Sequence, residues 1–239
     1  MSLEELEALL LVQERDTTLD QLRHRREAMP ERAALEARTA ELRRTEAERA
    51  AVGERHRVVH ADERRIDDEA QAVGDRADEV NKRLYSGTIS SPRELQAMQA
   101  DIDMLLRRRS DLEDEELEIM EKREALDGEL ATLDAAIADL QATVSALRAK
   151  IAETEVEIDD ELARETAARA DSAKPIAESL LRDYERRRAR NRGAGAARLV
   201  GTTCQACHLT IPSTEAEQIR RGAGSVVGYC DNCSAILVP

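Results

Sequence analysis

The sequence has almost no aromatic residues: its 239 positions hold three tyrosines, no phenylalanine and no tryptophan. A compact globular domain of this length normally buries several large aromatic side chains. Charged residues make up 36% of the chain, and alanine, leucine, glutamate and arginine are the commonest residues. This composition disfavours a conventional globular core and favours long helices that pair as coiled coils.

Long hydrophobic runs are also missing, and we expect no stretch that approaches the roughly 18 residues of a transmembrane helix. The first residues, Met1 to Glu5, include two acidic side chains and no basic segment before an apolar run. We therefore expect no signal peptide, a cytoplasmic location and no membrane partner. Thiols stay reduced in the cytoplasm, which favours metal binding over disulfides.

Cysteine is scarce but concentrated, because all four cysteines lie in the last 40 residues. They form two C-x-x-C pairs, Cys204 with Cys207 and Cys230 with Cys233, separated by 22 residues. Two residues between thiolates let a tight turn direct both sulfurs at one ion, and two such pairs are typical of a tetrahedral zinc site. We predict one structural Zn²⁺ per chain, bound by these four cysteines.

Other chemistries use parts of the same pattern. Cys204 to His208 spells C-x-x-C-H, the attachment signature of c-type haem, and a redox dithiol or a disulfide would also use such a pair. Haem attachment takes place outside the cytoplasm and would leave Cys230 and Cys233 unexplained. We favour zinc, with His208 as a neighbouring or surface residue, because four thiolates already close the site.

Apolar residues recur every three or four positions along two long segments. The alternation holds for about nine heptads between residues 95 and 158, and residues 52–84 follow it too, extended backwards by Leu35 and Leu42. A 3.5-residue period kept for this length requires a partner helix. The short turn-rich segment 85–91 separates the two, which predicts an antiparallel coiled-coil hairpin.

Charged and polar residues interrupt both apolar seams. His56 and Glu63 occupy seam positions in the first helix, and Arg109, Glu116 and Arg123 occupy them in the second. Folding about the loop brings the two groups close together. Buried polar residues commonly fix register in coiled coils, and we predict that role here.

Local signals mark the helix ends. Pro30 interrupts the first helix, Ser91 to Glu94 combines an N-cap, a first-turn proline and a capping box, and Pro175 closes the long second helix. Thr214 to Glu217 predicts a second capping box. Hairpin arms of equal length would return the second helix to the N-terminus, so we expect Met1 near the zinc unit.

The composition changes after residue 173, where a short amphipathic helix leads into an arginine run. Residues 174–239 carry a net charge of +4, whereas residues 1–173 carry −18. Cations at a helix C-terminus favour the helix dipole, but six arginines within 13 residues also suit contacts with phosphates. The candidate nucleic-acid residues are Arg186, Arg187, Arg188, Arg190, Arg192 and Arg198.

These features predict a mainly α chain with three segments. Residues 1–173 form a long antiparallel coiled-coil hairpin with its tip at about 85–91, and residues 174–198 form a short basic helix and linker. Residues 199–239 form a small C4 zinc ribbon with short β-strands.

Several motifs together resemble a bacterial family of C4-type zinc-ribbon coiled-coil proteins. They are the hinge from Leu84-Tyr85-Ser86-Gly87 to Pro92-Arg93-Glu94-Leu95-Gln96, the run Arg107-Arg108-Arg109-Ser110-Asp111-Leu112-Glu113-Asp114, and the cysteine pairs. The resemblance covers essentially the whole chain, and its members are described as predicted nucleic-acid-binding Zn-ribbon proteins. It implies zinc at the four cysteines. In some bacteria, members are linked to control of gene expression, including flagellar genes, through protein and RNA partners. This chain has Ser234-Ala235 where the family commonly has Gly-Arg, which removes a basic residue beside the zinc.

Two functions remain in competition. In the first, the chain is a non-enzymatic adaptor or regulator. Its rod contacts a protein partner along its acidic face or at the tip, with Tyr85, Thr88 and Ile89 as the candidate tip contacts, and its zinc ribbon engages a second partner. In the second, the ribbon and the arginine run bind RNA or DNA. Such binding should be weak and salt-dependent, because only Tyr184 and Tyr229 lie nearby to stack on bases.

Catalysis is disfavoured on several grounds. The chain has no phosphate loop and no nucleophile elbow, and a closed four-thiolate zinc site has no open position for a substrate. A transcript-cleavage-like factor would need paired carboxylates at the tip, and residues 85–91 contain none. The exposed length of helix is compatible with self-association.

Overall fold

The computed structural model describes residues 2–222 and 226–239. Its four main helices are α1 (Leu3–Glu27), α2 (Pro30–Leu84), α3 (Pro92–Ala173) and α4 (Glu178–Arg190). Pro30 and Pro92 each occupy the first position of a helix, where the missing amide hydrogen has no helical partner to lose. α3 ends directly before Lys174 and Pro175, as predicted. The mainly α fold class is confirmed.

Contacts divide the chain into two compact units. The ribbon unit comprises Met1–Ala33 and Leu147–Pro239, and the hairpin unit comprises Ala34–Ala146. The domain boundaries at residues 173 and 198 rest on changes of composition, and they stay predictions.

The hairpin unit contains two antiparallel helices, α2 and α3, with a narrow apolar seam. Ile66, Ala70 and Leu112 are buried in it, and Val73 and Ile119 pack against them. A pair of helices has little interior, so its core is one row of side chains from each helix. This is why the sequence needs leucine, isoleucine, valine and alanine at heptad spacing but no large aromatic residue.

One pair of the charged residues that interrupt this seam forms a contact between the helices, as predicted. Glu63 is 9% exposed, and Arg123 Nη1 donates to both of its carboxylate oxygens at 2.7 Å. Arg109 instead pairs with Glu113 on its own helix at 2.8 Å. The Glu63–Arg123 pair can form in one register only, because a shift by one turn would leave a charge facing apolar side chains.

The hairpin tip is a short loop held by its own hydrogen bonds. Gly87 has a φ of 75°, which favours glycine, and the Ser86 hydroxyl lies 2.7 Å from the Thr88 hydroxyl. α3 then begins at Pro92 as predicted, with the amide of Glu94 donating to the Ser91 carbonyl at 3.1 Å. Within the described residues, Ser91 and Glu94 form no side-chain capping box.

The ribbon unit is built around a mixed core of helices and strands. α1 begins with a capping box in which the Glu5 amide donates to Ser2 Oγ at 3.2 Å. The fully or nearly fully buried residues of this core are Leu6, Ala8, Leu9, Val12, Ile176, Leu180, Tyr184, Ala196, Ile236 and Val238. Met1, expected near the zinc unit, lies outside the described residues, but α1 itself contributes to this core.

Four short strands form the ribbon's sheet. They are β1 (Ala196–Val200), β2 (Thr203–Cys204), β3 (Gly228–Tyr229) and β4 (Ile236–Val238), in the order β2-β1-β4-β3, with β1 and β4 parallel. A fifth helix, α5 (Ser213–Arg221), precedes β3. The capping box predicted at residues 214–217 is wrong, because the N-cap of α5 is Pro212, two residues before Thr214, and it makes no side-chain cap.

β4 belongs to two cores at once, because its side chains alternate. Ile236 and Val238 point into the helical core of the ribbon unit. Ala235, just before the strand, and Leu237 pack with the cysteines. Because successive side chains of a strand point to opposite faces, this one strand contacts both the cysteines and the core that contains α1 and α4.

α3 is the one helix in the described part of the chain that is long and apolar enough to span a membrane by length and composition. The expectation that no stretch approaches such a length is therefore wrong by this measure. The stretch has at most two charged residues and is hardly buried. A single helix of this kind is weak evidence for a membrane span, because helices of soluble proteins have the same composition.

Candidate metal centre

Each C-x-x-C pair lies on a turn with the same hydrogen-bond pattern. The Cys204 amide donates to the Leu209 carbonyl at 3.0 Å, and the Cys230 amide donates to the Ala235 carbonyl at 2.9 Å. His208 and Ser234, four residues after the first cysteine of each pair, have φ values of 58° and 60°. These left-handed residues reverse the chain, which turns both thiols of each pair to the same side.

The four sulfur atoms converge on one point. Cys204 Sγ lies 3.8 Å from Cys233 Sγ, and Cys207 Sγ lies 3.8 Å from Cys230 Sγ. All four lie within 4.8 Å of one another. A tetrahedron with zinc–sulfur bonds of about 2.3 Å has sulfur–sulfur edges of about 3.8 Å. Donor type, number and spacing therefore fit one zinc ion, and the sulfurs are too far apart for disulfides.

The surroundings of the thiols oppose ionisation at two of them. Burial raises the pKa of Cys204, and burial raises the pKa of Cys233 to about 12. The backbone amide of Leu209 lowers the pKa of Cys207. A cation at the centre would favour the thiolate form of all four, so metal binding and proton release are coupled here.

The competing chemistries for the cysteines do not match this geometry. The four thiols form one cluster, whereas haem attachment would engage Cys204 and Cys207 alone. The His208 side chain is exposed, and its backbone amide donates to the Cys204 carbonyl at 2.8 Å. The prediction of one structural zinc is confirmed, and the role of His208 as a neighbouring or surface residue stays a prediction.

Arg187 joins α4 to the second cysteine turn. Its guanidinium lies 3.8 Å from the centre of the Tyr229 ring, pairs with Asp183 at 2.8 Å and donates to the Ser234 carbonyl at 2.7 Å. The hydrogen bonds from Arg187 and Arg186 hold the pKa of Asp183 below its usual value, although its burial acts in the opposite direction. Arg187 is thus occupied within the protein.

Two more of the predicted nucleic-acid arginines have partners within the ribbon unit. Arg188 pairs with Asp20 and donates to the Asp16 backbone carbonyl at 3.3 Å. Arg198 pairs with Glu7 at 2.8 Å, with both side chains about half exposed.

The remaining arginines lie nearer to solvent. Arg186 pairs with Asp183 while its own side chain is 61% exposed. Arg190 and Arg192 are exposed and form no ion pair among the described residues. A recess of about 520 Å³ beside the second cysteine turn is lined by Arg186, Arg187, Arg190, Asn191, Asn232, Cys233 and Ser234. The structure thus gathers two of the exposed arginines at one polar surface, and the role of the arginines stays a prediction.

The candidate contacts at the hairpin tip differ in exposure. Tyr85 is 78% exposed and Thr88 is exposed as well, whereas Ile89 is only partly exposed. The tyrosine is therefore the principal apolar surface of the tip, and Ile89 contributes less to it.

Sequence reasoning missed the residue that organises the helical core of the ribbon unit. Asp16 is 4% exposed, accepts a hydrogen bond from the Tyr184 hydroxyl at 2.7 Å and pairs with Arg169 at 2.9 Å. Burial and this hydrogen bond raise the pKa of Tyr184. A signal was present, because Asp16 stands four residues after Val12 and three before Leu19, on the apolar stripe of α1.

Gln13 was missed as well. Its side-chain amide donates to the Gly193 carbonyl at 2.9 Å and accepts from the Gly195 amide at 2.7 Å. It therefore satisfies the hydrogen bonds of backbone groups at the start of β1. No pattern in the sequence around Gln13 predicts this role.

Two family models match the chain. The CT398-like coiled coil hairpin domain matches residues 12–192, and the C4-type zinc ribbon domain matches residues 203–237. An uncharacterised protein of Mycobacterium tuberculosis strain H37Rv is 32% identical over 231 residues, which cover 97% of this chain and 94% of that protein.

Solved structures have the same fold. A Mycobacterium smegmatis structure is 27% identical with a TM-score of 0.84, covering 100% of this chain and 98% of its own. CT398 from Chlamydia trachomatis is 17% identical with a TM-score of 0.50, and HP0958 from Helicobacter pylori is 14% identical with a TM-score of 0.51. Both alignments cover 98% of this chain and 96% of the other. At these identities the last two show the fold alone.

Proposed function

The chain belongs to the CT398-like coiled-coil hairpin family and carries a C4-type zinc ribbon, and from this premise we propose that it is a non-enzymatic adaptor with a regulatory role. A site with four thiolate ligands has no open coordination position, so its zinc would stabilise the ribbon and take no part in a reaction. Function then lies in the surfaces that the two units offer to other proteins, in control of gene expression among other settings.

The observation that carries this proposal is the exposure of Tyr85. An aromatic side chain that is 78% exposed contributes nothing to the seam, and the loop around it is already ordered by the hydrogen bonds of Ser86 with Arg83 and Thr88. Tyrosine contributes a large contact area at a small entropic cost, which is why it is enriched in protein interfaces.

A photocrosslinking experiment tests the tip. Benzoylphenylalanine is placed at position 85 and, as a matched control, at position 58, because Val58 is also exposed in the hairpin unit, at 55%. We expect a discrete crosslinked product in cells at position 85 alone, lost when Thr88 and Ile89 are changed to Gly. Equal products at both positions, or none at position 85, would remove the tip from the proposal.

Nucleic-acid binding is the second candidate, and the recess beside the second cysteine turn favours it. Arg186 and Arg190 are exposed there beside Asn232, which suits a phosphate group. The chain carries a net charge of −14, so any contact would have to be confined to this positive surface and would weaken steeply with salt.

This second candidate needs a narrower set of substitutions than the full arginine run. Arg187 and Arg188 have structural partners, so their loss would confuse weakened binding with weakened folding. The test compares Arg186→Gln/Arg190→Gln with a control, Arg64→Gln/Arg65→Gln, by anisotropy of labelled RNA and DNA at about 50 and 200 mM salt. We expect at least fivefold weaker binding in the first variant only. No binding of the unaltered protein at low salt would exclude this candidate.

A further inference from the structure

In one part of α3 the usual distribution of polar and apolar residues is inverted. Three of the six seam positions between residues 105 and 123, those of Arg109, Glu116 and Arg123, are charged. Outside the seam positions of the same segment, Leu106 is 50% exposed, Leu117 is 59% exposed and Met120 is 38% exposed. Leu106 and Met120 flank the seam and Leu117 lies outside it, so packing against α2 leaves a large part of all three side chains exposed.

The exposed apolar residues share one face with acidic residues. Residues 106, 117, 120, 121 and 124 lie within about a third of a turn of one another when each residue advances by 100°. Asp114 borders the same face. We name this surface the acidic stripe, and its members are Leu106, Asp114, Leu117, Met120, Glu121 and Glu124.

The acidic stripe lies in a negatively charged segment. Residues 106–124 contain eight acidic and five basic side chains, a net charge of −3, and the central residues 111–121 contain seven acidic side chains and no basic one. Asp114, Glu121 and Glu124 are all exposed, and none of the three forms an ion pair with any residue that the structure describes. The stripe spans 19 residues, which is about 28 Å of helix.

We propose that the acidic stripe is a docking surface for a basic amphipathic helix of a partner protein. Such a helix presents leucine-like side chains every three or four residues with lysine or arginine between them. It would cover Leu106, Leu117 and Met120 and neutralise the carboxylates beside them. Charge complementarity favours a basic helix as the partner, because the carboxylates of the stripe would repel nucleic acid and anionic lipid. The stripe is separate from the tip loop and from the ribbon, so it goes beyond the function proposed above.

A labelled peptide tests this proposal on the full-length, zinc-loaded protein. The probe is a fluorescein-labelled 18-residue peptide of leucine and lysine with leucine at helical spacing. One reference peptide has the same composition in scrambled order. The other has glutamate in place of lysine. We expect fluorescence anisotropy to show micromolar binding of the amphipathic lysine peptide at about 50 mM salt, and at least tenfold weaker binding of both references.

Two variants and two controls locate the peptide on the protein. Leu106→Ser/Leu117→Ser and Asp114→Asn/Glu121→Gln/Glu124→Gln should each weaken binding about tenfold. Two control variants should change the affinity for the peptide by less than twofold. They are Val58→Ser on α2 and Glu153→Gln/Glu157→Gln/Asp160→Asn on α3. All these side chains are exposed, so far-UV circular dichroism should be unchanged. Tyr85→Ser should also bind normally, which keeps this result independent of the tip.

Three results would overturn the proposal. The first is no binding of the lysine peptide at low salt. The second is an equal loss in the Glu153 control, which would mean diffuse attraction to an acidic protein. The third is sedimentation showing dimers of the unaltered protein that Leu117→Ser abolishes, because the stripe would then be covered by a second copy of this chain.

Discussion

At the scale of single residues, the ribbon unit depends on a few buried polar groups that bridge distant parts of the chain. Asp16 connects α1 to α3 through Arg169 and to α4 through Tyr184. A carboxylate that is 4% exposed is costly to bury unless each oxygen is satisfied, and here both are. Such a group adds a defined arrangement to helices whose apolar side chains already pack together.

Replacing Asp16 should therefore weaken the ribbon unit severely. We expect Asp16→Ala to cost about 3 kcal/mol in free energy of unfolding. It removes the acceptor of the buried Tyr184 hydroxyl and leaves Arg169 and Arg188 with only the more exposed Glu185 and Asp20 as counter-charges. Asp20→Ala, which removes an exposed partner of Arg188, should cost less than about 1 kcal/mol. Urea denaturation followed by tyrosine fluorescence measures both free energies of unfolding, and equal costs would show that Asp16 has no special role.

Replacing one glycine in α3 should stabilise the protein. Nothing lies within 4 Å of the position that a Cβ would occupy at Gly128, which stands inside a helix. Gly128→Ala should stabilise the hairpin unit by about 0.5–1 kcal/mol, because alanine loses less backbone freedom on folding. Gly195→Ala is the contrasting change, since its Cβ would lie 2.6 Å from the Tyr184 ring. A stabilised Gly195→Ala protein in thermal denaturation would contradict this account.

At the scale of elements, the paired helices of the hairpin unit are specified by pattern and then held in register by charge. The apolar seam alone tolerates a shift by a heptad, because leucine, isoleucine and valine can exchange places. The buried pair of Glu63 and Arg123, with two bonds of 2.7 Å, does not tolerate it. Specificity of register and stability thus come from different residues in the same seam.

This division predicts different outcomes for single and double replacements. Glu63→Ala should destabilise the hairpin unit by about 2 kcal/mol, because Arg123 is left facing the seam, whereas Glu63→Leu/Arg123→Leu should be neutral or stabilising. Glu129→Ala, which removes the exposed partner of Arg55, should cost under about 1 kcal/mol. Urea denaturation of the three variants measures these changes in the free energy of unfolding. A double variant less stable than Glu63→Ala would contradict the argument.

At the scale of the whole molecule, the two compact units differ in what stabilises them. The hairpin unit depends on its heptad seam and cross-helix ion pairs. The ribbon unit depends on a core that β4 shares with the four cysteines, because Ile236 and Val238 face the helices while Leu237 faces the thiols. Metal bound by the cysteines should therefore stabilise α1 and α4 in addition to the ribbon itself.

Removing zinc tests this coupling. With a strong chelator, or in Cys230→Ser, we expect amide hydrogen exchange to accelerate at least tenfold in residues 196–238 and also in α1 and α4, while residues 102–126 keep their protection. The control is the same chelator on the Glu63→Leu/Arg123→Leu variant, whose ribbon should respond identically. Unchanged exchange in α1 and α4 would show that the ribbon folds independently of the helices.

Much of this architecture could be read from the sequence, because its signals are local. Heptad spacing, the proline positions, the turn-rich segment before Pro92 and the two cysteine pairs each act over a few residues, and each was placed correctly. Among the described residues, the predicted capping boxes at Ser91 and Thr214 are absent. There the carbonyls of Ser91 and Pro212 accept the first helical amide bonds, without help from the side chains.

The sequence by itself determined the helices, their pairing and the zinc ligands, because short-range periodicity and spacing decide these features. Tertiary structure alone decided which arginines are available, since Arg188 and Arg198 find their partners 168 and 191 residues away. It also decided that Tyr85 dominates the tip, and that Arg169 and Tyr184 are the partners of Asp16. Such contacts depend on elements that meet only after the chain has folded, so no pattern of neighbouring residues could announce them.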